Sequence, residues 1–259
     1  MEIFRPPHPP TKQTSNTTKT PPQRDFLTHV EQYLSKRDSI DKLLKISRYA
    51  SKIILCSSFF QESNNPLSEN LKSFECSVGL SRKALRLGKF IQDINAFRSS
   101  EFCCFQELII FVVAYGGEGL YYFVEQFVWV VKSGLIGRIW LNNLEKLSAW
   151  FEIFGYVGSV WLKVRELGEI GMDERCLVSS MEVAELREIG CREELERLRK
   201  VREVKLMKRV AILQDLADGL VALAVVRGGK GQLLQPLVVS LAGLLSALIS
   251  SHRNWFLAD

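Results

Sequence analysis

Histidine is scarce in this sequence, and the three present, His8, His29 and His252, never stand at metal-ligand spacing from another donor. The six cysteines, at positions 56, 76, 103, 104, 176 and 191, supply no C-x-x-C pair and no secreted disulfide framework. They read as reduced, partly buried thiols in a reducing compartment. Proline almost disappears after the beginning, because six of its eight occurrences precede residue 23. Neither G-x-S-x-G nor H-E-x-x-H occurs. GGKG at 228–231 fails as a phosphate loop, with Gly231 where a Ser or Thr is required and Ala224 where the first glycine belongs. GGEG at 116–119 lacks the strand–turn–helix setting of a dinucleotide loop. No constellation argues for an enzyme, and no cofactor or metal is expected.

What is present is segregated. A mean hydropathy of +0.04 over 259 residues hides very oily and very charged stretches. Of the 34 Lys and Arg, 16 lie in residues 1–101 against 10 acids, whereas the remainder carries 18 bases against 19 acids. Residues 1–24 form a Pro-rich basic arm with nothing to bury, so disorder is expected. The arm also lacks the apolar core of a secretory signal. Residues 25–101 turn helical. Asp25 can cap a short helix bearing Phe26, Leu27, Val30, Tyr33 and Leu34. A second starts near Ser39 or Asp41, with Leu43, Ile46, Ala50 and Ile53 on one stripe. The polar run 61–70, with Pro66 at its centre, reads as a loop.

Residues 78–98 are the clearest amphipathic stretch. Leu80, Ala84, Leu87, Ile91 and Ile94 recur at helical spacing, and Phe90 and Phe97 extend the face. Arg82, Arg86 and Lys89 lie opposite, with Lys83 near the border. Three readings are open from the residues: an interfacial membrane helix, a helix packed on its own protein, and a calmodulin-type target. In the first, Leu80, Ala84, Leu87, Phe90, Ile91 and Ile94 insert into lipid, while Arg82, Lys83, Arg86 and Lys89 meet headgroups.

Residues 102–162 are aromatic and apolar, but Glu107, Glu118 and Glu125 interrupt them. Span, interfacial hairpin and buried core are all open there. Residues 163–209 alternate acids and bases, with Glu193–Arg197 and Glu196–Lys200 as i,i+4 pairs on an exposed helix. Residues 210–259 form an apolar hairpin. Its stretch 231–251 has no formal charge and spans about 31 Å as a helix, the thickness of a hydrocarbon core. It reads as a transmembrane helix, with Pro236 in its first third. Rows of small residues, Ala242, Ser246 and Ser250 beside Gly243, Ala247 and Ser251, suit close helix association in lipid.

Three ordered segments, Tyr33 to Leu55, Ser77 to Arg98 and Gln214 to Trp255, together resemble the plant form of the peroxin-11 family. The resemblance implies an all-α integral protein of the peroxisomal membrane, with one to three embedded helices, multi-pass topology and both termini in the cytosol. It further implies that helix 78–98 inserts into one leaflet of an anionic phospholipid membrane. Elongation, proliferation and fission of the organelle would follow, through self-association into homo-oligomers and recruitment of dynamin-type fission machinery. No nucleic-acid partner is expected. The alternative it implies is a pore for small metabolites, with Glu107, Glu118 and Glu125 facing water between helices. Departures from the family pattern are the long arm before Asp25 and a carboxyl terminus without a lysine-rich ending.

Overall fold

The computed structural model describes residues 36–56, 66–98, 105–186, 192–228 and 234–256, and among these it contains helices and no strand. The helices are α1 (Arg37–Cys56), α2 (Pro66–Leu85), α3 (Phe90–Arg98), α4 (Phe105–Phe111), α5 (Gly117–Lys132), α6 (Leu141–Leu186), α7 (Arg192–Arg227) and α8 (Pro236–Phe256). A π-helical segment, Val112–Gly116, joins α4 to α5, and a 3-10 turn, Arg138–Trp140, precedes α6. The predicted arm 1–24 and the predicted helix following Asp25 lie outside the described residues.

Several expected boundaries move, each for a local reason. Pro66 and Pro236 stand at the first position of α2 and α8, where the missing N–H would have had no helical partner anyway. Pro66 is therefore a helix start and not the middle of a loop. The carboxyl-terminal helix begins at 236, not 231, and runs on to Phe256. The continuous helix expected over 78–98 is broken. Hydrogen bonds from Arg86 N–H to the Lys83 carbonyl (3.1 Å) and from Leu87 N–H to the Ala84 carbonyl (3.1 Å) tighten the end of α2. Gly88 then takes a left-handed φ of 74° before α3 begins. The apolar periodicity runs through this turn without registering it.

Six of the helices pack as a closed ring of neighbours: α1 on α2, α2 on α5, α5 on α6, α6 on α7, α7 on α8, and α8 back on α1. Helix α3 lies outside the ring against α5 and the π segment. The two long helices α6 and α7 each cross the compositional border anticipated near residues 163 and 210. In their antiparallel pair the charged halves meet each other. Glu174 takes Arg202 at 2.9 Å and Lys205 at 2.6 Å, and Lys208 pairs with Glu166. These bridges run between helices, a different use of the acids and bases from the expected pairs within one helix.

One close helix crossing, backbone against backbone, rests on glycine. A Cβ on Gly158 would lie 2.5 Å from the Ala114 backbone nitrogen, and one on Gly117 would lie 2.6 Å from that of Gly155. GGEG at 116–119 thus has a packing role, seating the π segment and α5 on α6. A second close approach is Gly243 of α8, where a Cβ would sit 2.3 Å from the Tyr49 ring of α1.

Candidate functional site

The ring has charge inside and oil outside. On α8, Leu237, Leu241, Leu245 and Leu248 are exposed along one face. On α6, Leu147, Trp150, Phe154, Val157, Trp161 and Val164 follow at alternating three- and four-residue steps. Exposed Leu120, Phe123 and Phe127 continue this surface on α5. A contiguous apolar exterior of this extent suits lipid and not water. Among the described residues, two helical stretches are long and apolar enough to cross a membrane, Leu108–Lys132 and Pro236–Trp255. At helical rise they reach about 37 and 30 Å.

Inside, most buried charges meet an opposite charge, as a low-dielectric interior demands. Asp41 of α1 accepts from Arg82 Nε at 2.9 Å and from Arg86 Nη2 at 3.1 Å. Burial alone would raise the Asp41 carboxyl, but Arg86 and Arg82 outweigh it and hold the group well below the usual carboxylate range. Arg86 Nη1 also donates to the Tyr121 hydroxyl at 2.7 Å. Lys83 Nζ donates to both oxygens of Glu125, at 2.7 and 2.6 Å, and Ser148 donates to the same carboxylate at 3.1 Å. One turn along α1, Lys45 Nζ donates to Asp218 at 2.6 Å and to Ser246 Oγ at 2.8 Å, while Ser246 donates to Asp218 at 2.6 Å. Asp215 accepts from Ser159 at 2.8 Å and pairs with Lys163. These groups surround a polar cavity of about 440 Å³ lined from all six ring helices.

Peroxisomal biogenesis factor 11 (PEX11) matches residues 27–255, nearly the whole chain. The chain belongs to the PEX11 family. Similar relatives include "Peroxisomal membrane protein 11A" of Arabidopsis thaliana, 55% identical, covering 95% of this chain and 98% of that protein. "Peroxisomal membrane protein 11-3" of Oryza sativa subsp. japonica is 50% identical, covering 91% of each chain. "Peroxisomal membrane protein 11-2" of the same rice is 41% identical over 90% of each. No solved structure matches the chain.

In this PEX11 protein the cations expected on a free basic face are engaged internally. Arg82 is buried, Arg86 and Lys83 are largely so, and Lys89 bridges Asp38 at 3.1 Å. The polar side of α2 faces the ring, because Asp41 and Glu125 supply its counter-charges. Leu80, Ala84, Leu87 and Phe90 are half-buried, and Phe90 packs edge-on to Phe123 at 5.7 Å. Only the α3 part of the apolar stripe is open, with Ile91 52%, Ile94 56% and Phe97 41% exposed.

The small-residue row of α8 is also turned inward. Ser246, Ala247 and Ser250 are fully buried, Gly243 lies against Tyr49, and Ala242 is half-buried. The row packs α8 on α1 and α7 within one chain, so it does not form an open face between chains. Of the carboxylates considered for a pore, Glu125 is tied to Lys83, Glu118 is exposed and lines the cavity, and the Glu107 side chain lies outside the described residues. Among the described cysteines, Cys76 and Cys176 are exposed and Cys56 is half-buried. Cys103, Cys104 and Cys191 lie outside the described residues.

Sequence reasoning missed Asp41, Asp218 and Tyr121 as site residues. Asp41 and Asp218 carried a usable signal: each stands in an otherwise apolar or basic helical stretch, with one other acid, Asp38 or Asp215, a turn before it. Such a group needs a partner from another helix.

Proposed function

We propose that the chain resides in the peroxisomal membrane, crosses it more than once with both termini in the cytosol, and promotes elongation, proliferation and fission of the organelle. It acts by shaping the bilayer and not by catalysis. The family membership and the names of its relatives support the location. Two spans return the chain to its starting side, and the basic amino-terminal region suits a cytosolic one.

The observation that carries the shaping role is α3. It is a nine-residue helix set beyond the turn at Gly88, and Ile91, Ile94 and Phe97 form an exposed apolar face at three-residue steps. Laid in one leaflet, such a face increases that leaflet's area and favours positive curvature. Headgroup contact falls to the exposed Arg98 at its end, since the cations of α2 are committed inside. Self-association then concentrates these inserts, and dynamin-type machinery completes fission.

The test uses the full chain in liposomes containing anionic phospholipid. Ile94→Asp is expected to abolish tubulation seen by electron microscopy while leaving unfolding in detergent within about 0.5 kcal/mol, as for an exposed position. Tubulation by Ile94→Asp equal to that of the parent chain rejects the role of α3.

A second reading, passage of small metabolites, draws support from the closed helix ring around a polar cavity. Planar-bilayer conductance of the purified chain reads it directly.

A further inference from the structure

Among the described residues the interior pairing leaves cations over: Lys42 of α1 and Arg253 of α8 line the cavity without a carboxylate partner. Each of the carboxylates Asp41, Glu125, Asp215 and Asp218 has its donors, named above. Lys42 follows Asp41 on α1 and lines the same cavity, yet among the described residues no acceptor hydrogen-bonds its ammonium. Its strongest charged neighbours are Asp41, whose oxygens are occupied by two arginines, and the cations Lys45, Arg86 and Lys89, while Asp38, bridged to Lys89, and the exposed Glu118 also line the cavity. Burial first, then repulsion from Lys45, bring this ammonium down from its usual range to about 7. Glu152, which lines the same cavity, also lacks an ion pair and accepts from the Tyr156 hydroxyl at 3.0 Å, but Lys42 is the group left among like charges. It sits in a cavity of about 440 Å³, a volume suited to a small molecule. Lys42, Arg86 and Lys89 meet from two elements, α1 and the α2–α3 junction. A cluster that repels its own members attracts a multiply charged anion most strongly.

We propose that the ring cavity is a binding site for a phosphate monoester, held by Lys42 with Arg86 and Lys89 around it. The ester is either a free small phosphate from water or the headgroup of a phosphatidic-acid-type lipid entering between helices. The site stands on the cavity and its unmatched charge, and it holds whether or not α3 bends membranes or the ring conducts.

The experiment uses the full chain in nanodiscs of phosphatidylcholine alone. Glycerol 3-phosphate is titrated in, with the shift in unfolding temperature and the broadening of the ester's phosphorus NMR line as readouts. A parallel sample carries phosphatidic acid as a minor lipid. The parent chain is expected to bind one ester and gain thermal stability. Lys42→Gln should weaken binding by about tenfold or more, the loss of one charge-assisted contact. Lys42→Arg should retain binding, and Lys72→Gln, an exposed cation on α2, should match the parent. Stabilisation by glycerol 3-phosphate assigns the free ester, and stabilisation by phosphatidic acid alone assigns the lipid. Equal binding by the parent chain and Lys42→Gln, or binding of neither ester by the parent, overturns the proposal.

Discussion

Between residues 78 and 85 the polar side of the chain faces inward, and Arg82 and Lys83 end on Asp41 and Glu125. Between residues 90 and 98 the apolar side faces outward, and Ile91 and Ile94 meet no protein over half their surface. One unbroken hydrophobic pattern covers both stretches. What separates them is the company each keeps. The first half lies beside buried carboxylates on α1 and α5, while the second lies outside the ring. Amphipathicity therefore states that a helix has two faces, and the neighbouring helices decide which face is hidden. The locked half should answer to mutation as structure, and the open half as function.

The largest expected effect breaks the locked half. Asp41→Ala leaves the guanidiniums of Arg82 and Arg86 buried beside each other without their shared counter-charge. A loss of about 3–5 kcal/mol in unfolding stability is expected, read by SDS or thermal unfolding in micelles. A change under 1 kcal/mol would show that the cations can turn outward to water or headgroups, and the contrast between the halves would collapse.

A smaller effect comes from joining the halves. Gly88 has φ 74° and nothing within 4 Å of where a Cβ would stand, so Gly88→Ala pays only a backbone penalty, about 1–2 kcal/mol. That strain is relieved if α2 runs on into α3. Hydrogen exchange should then show altered protection across 86–98 with the rest of the ring unchanged.

The smallest concerns how firmly α3 docks. Burial first, then the nearby Glu118 carboxylate, raise Asp93 to about 7 against the partial relief of Lys89. One Asp93 oxygen, Oδ2, is buried without a hydrogen-bond partner. A carboxyl whose folded pKa is raised binds its proton better in the docked form. The stabilisation is therefore complete below the ordinary Asp range near 4 and disappears as pH rises through about 7. Amide protection of residues 90–98 should fall between pH 5 and pH 8. Asp93→Asn should flatten that dependence, and a parent chain with no such dependence would remove Asp93 from the docking of α3.

Much of the architecture was legible from residues alone. The uncharged stretch ending at Ser251 announced a membrane-length helix, since length and apolarity are properties a window of sequence contains. The all-helical class was implied by the family resemblance, beside which several stretches showed 3.6-residue periodicity. The break at Gly88 was not legible, because a left-handed turn of this kind keeps the apolar phase close enough for the pattern to continue. Nor were the borders inside α6 and α7. Composition changes at residues 163 and 210 because the surroundings change there, and the helices pass straight through. The site was least legible of all. Lys45 and Ser246 are separated by 201 positions, and Arg82 and Asp41 by 41, so no local window holds both members of either pair. A row of small residues on α8 likewise tells that something packs closely, without saying that the partner is Tyr49 of the same chain.

The ring has a consequence for how the molecule is made. Its closing contact joins α1 to α8, the first and last of the described helices. Until α8 arrives, Lys45 and Asp218 lack Ser246, and the charged interior has an open side. Non-local closure of this kind is slow and leaves incomplete species exposed. Once the ring is closed, the chain can hide its charges and offer lipid its oily coat. A chain cut short before Pro236 would leave Lys45, Asp218 and Tyr49 open on the side that α8 covers, so polar groups and oil would share one surface.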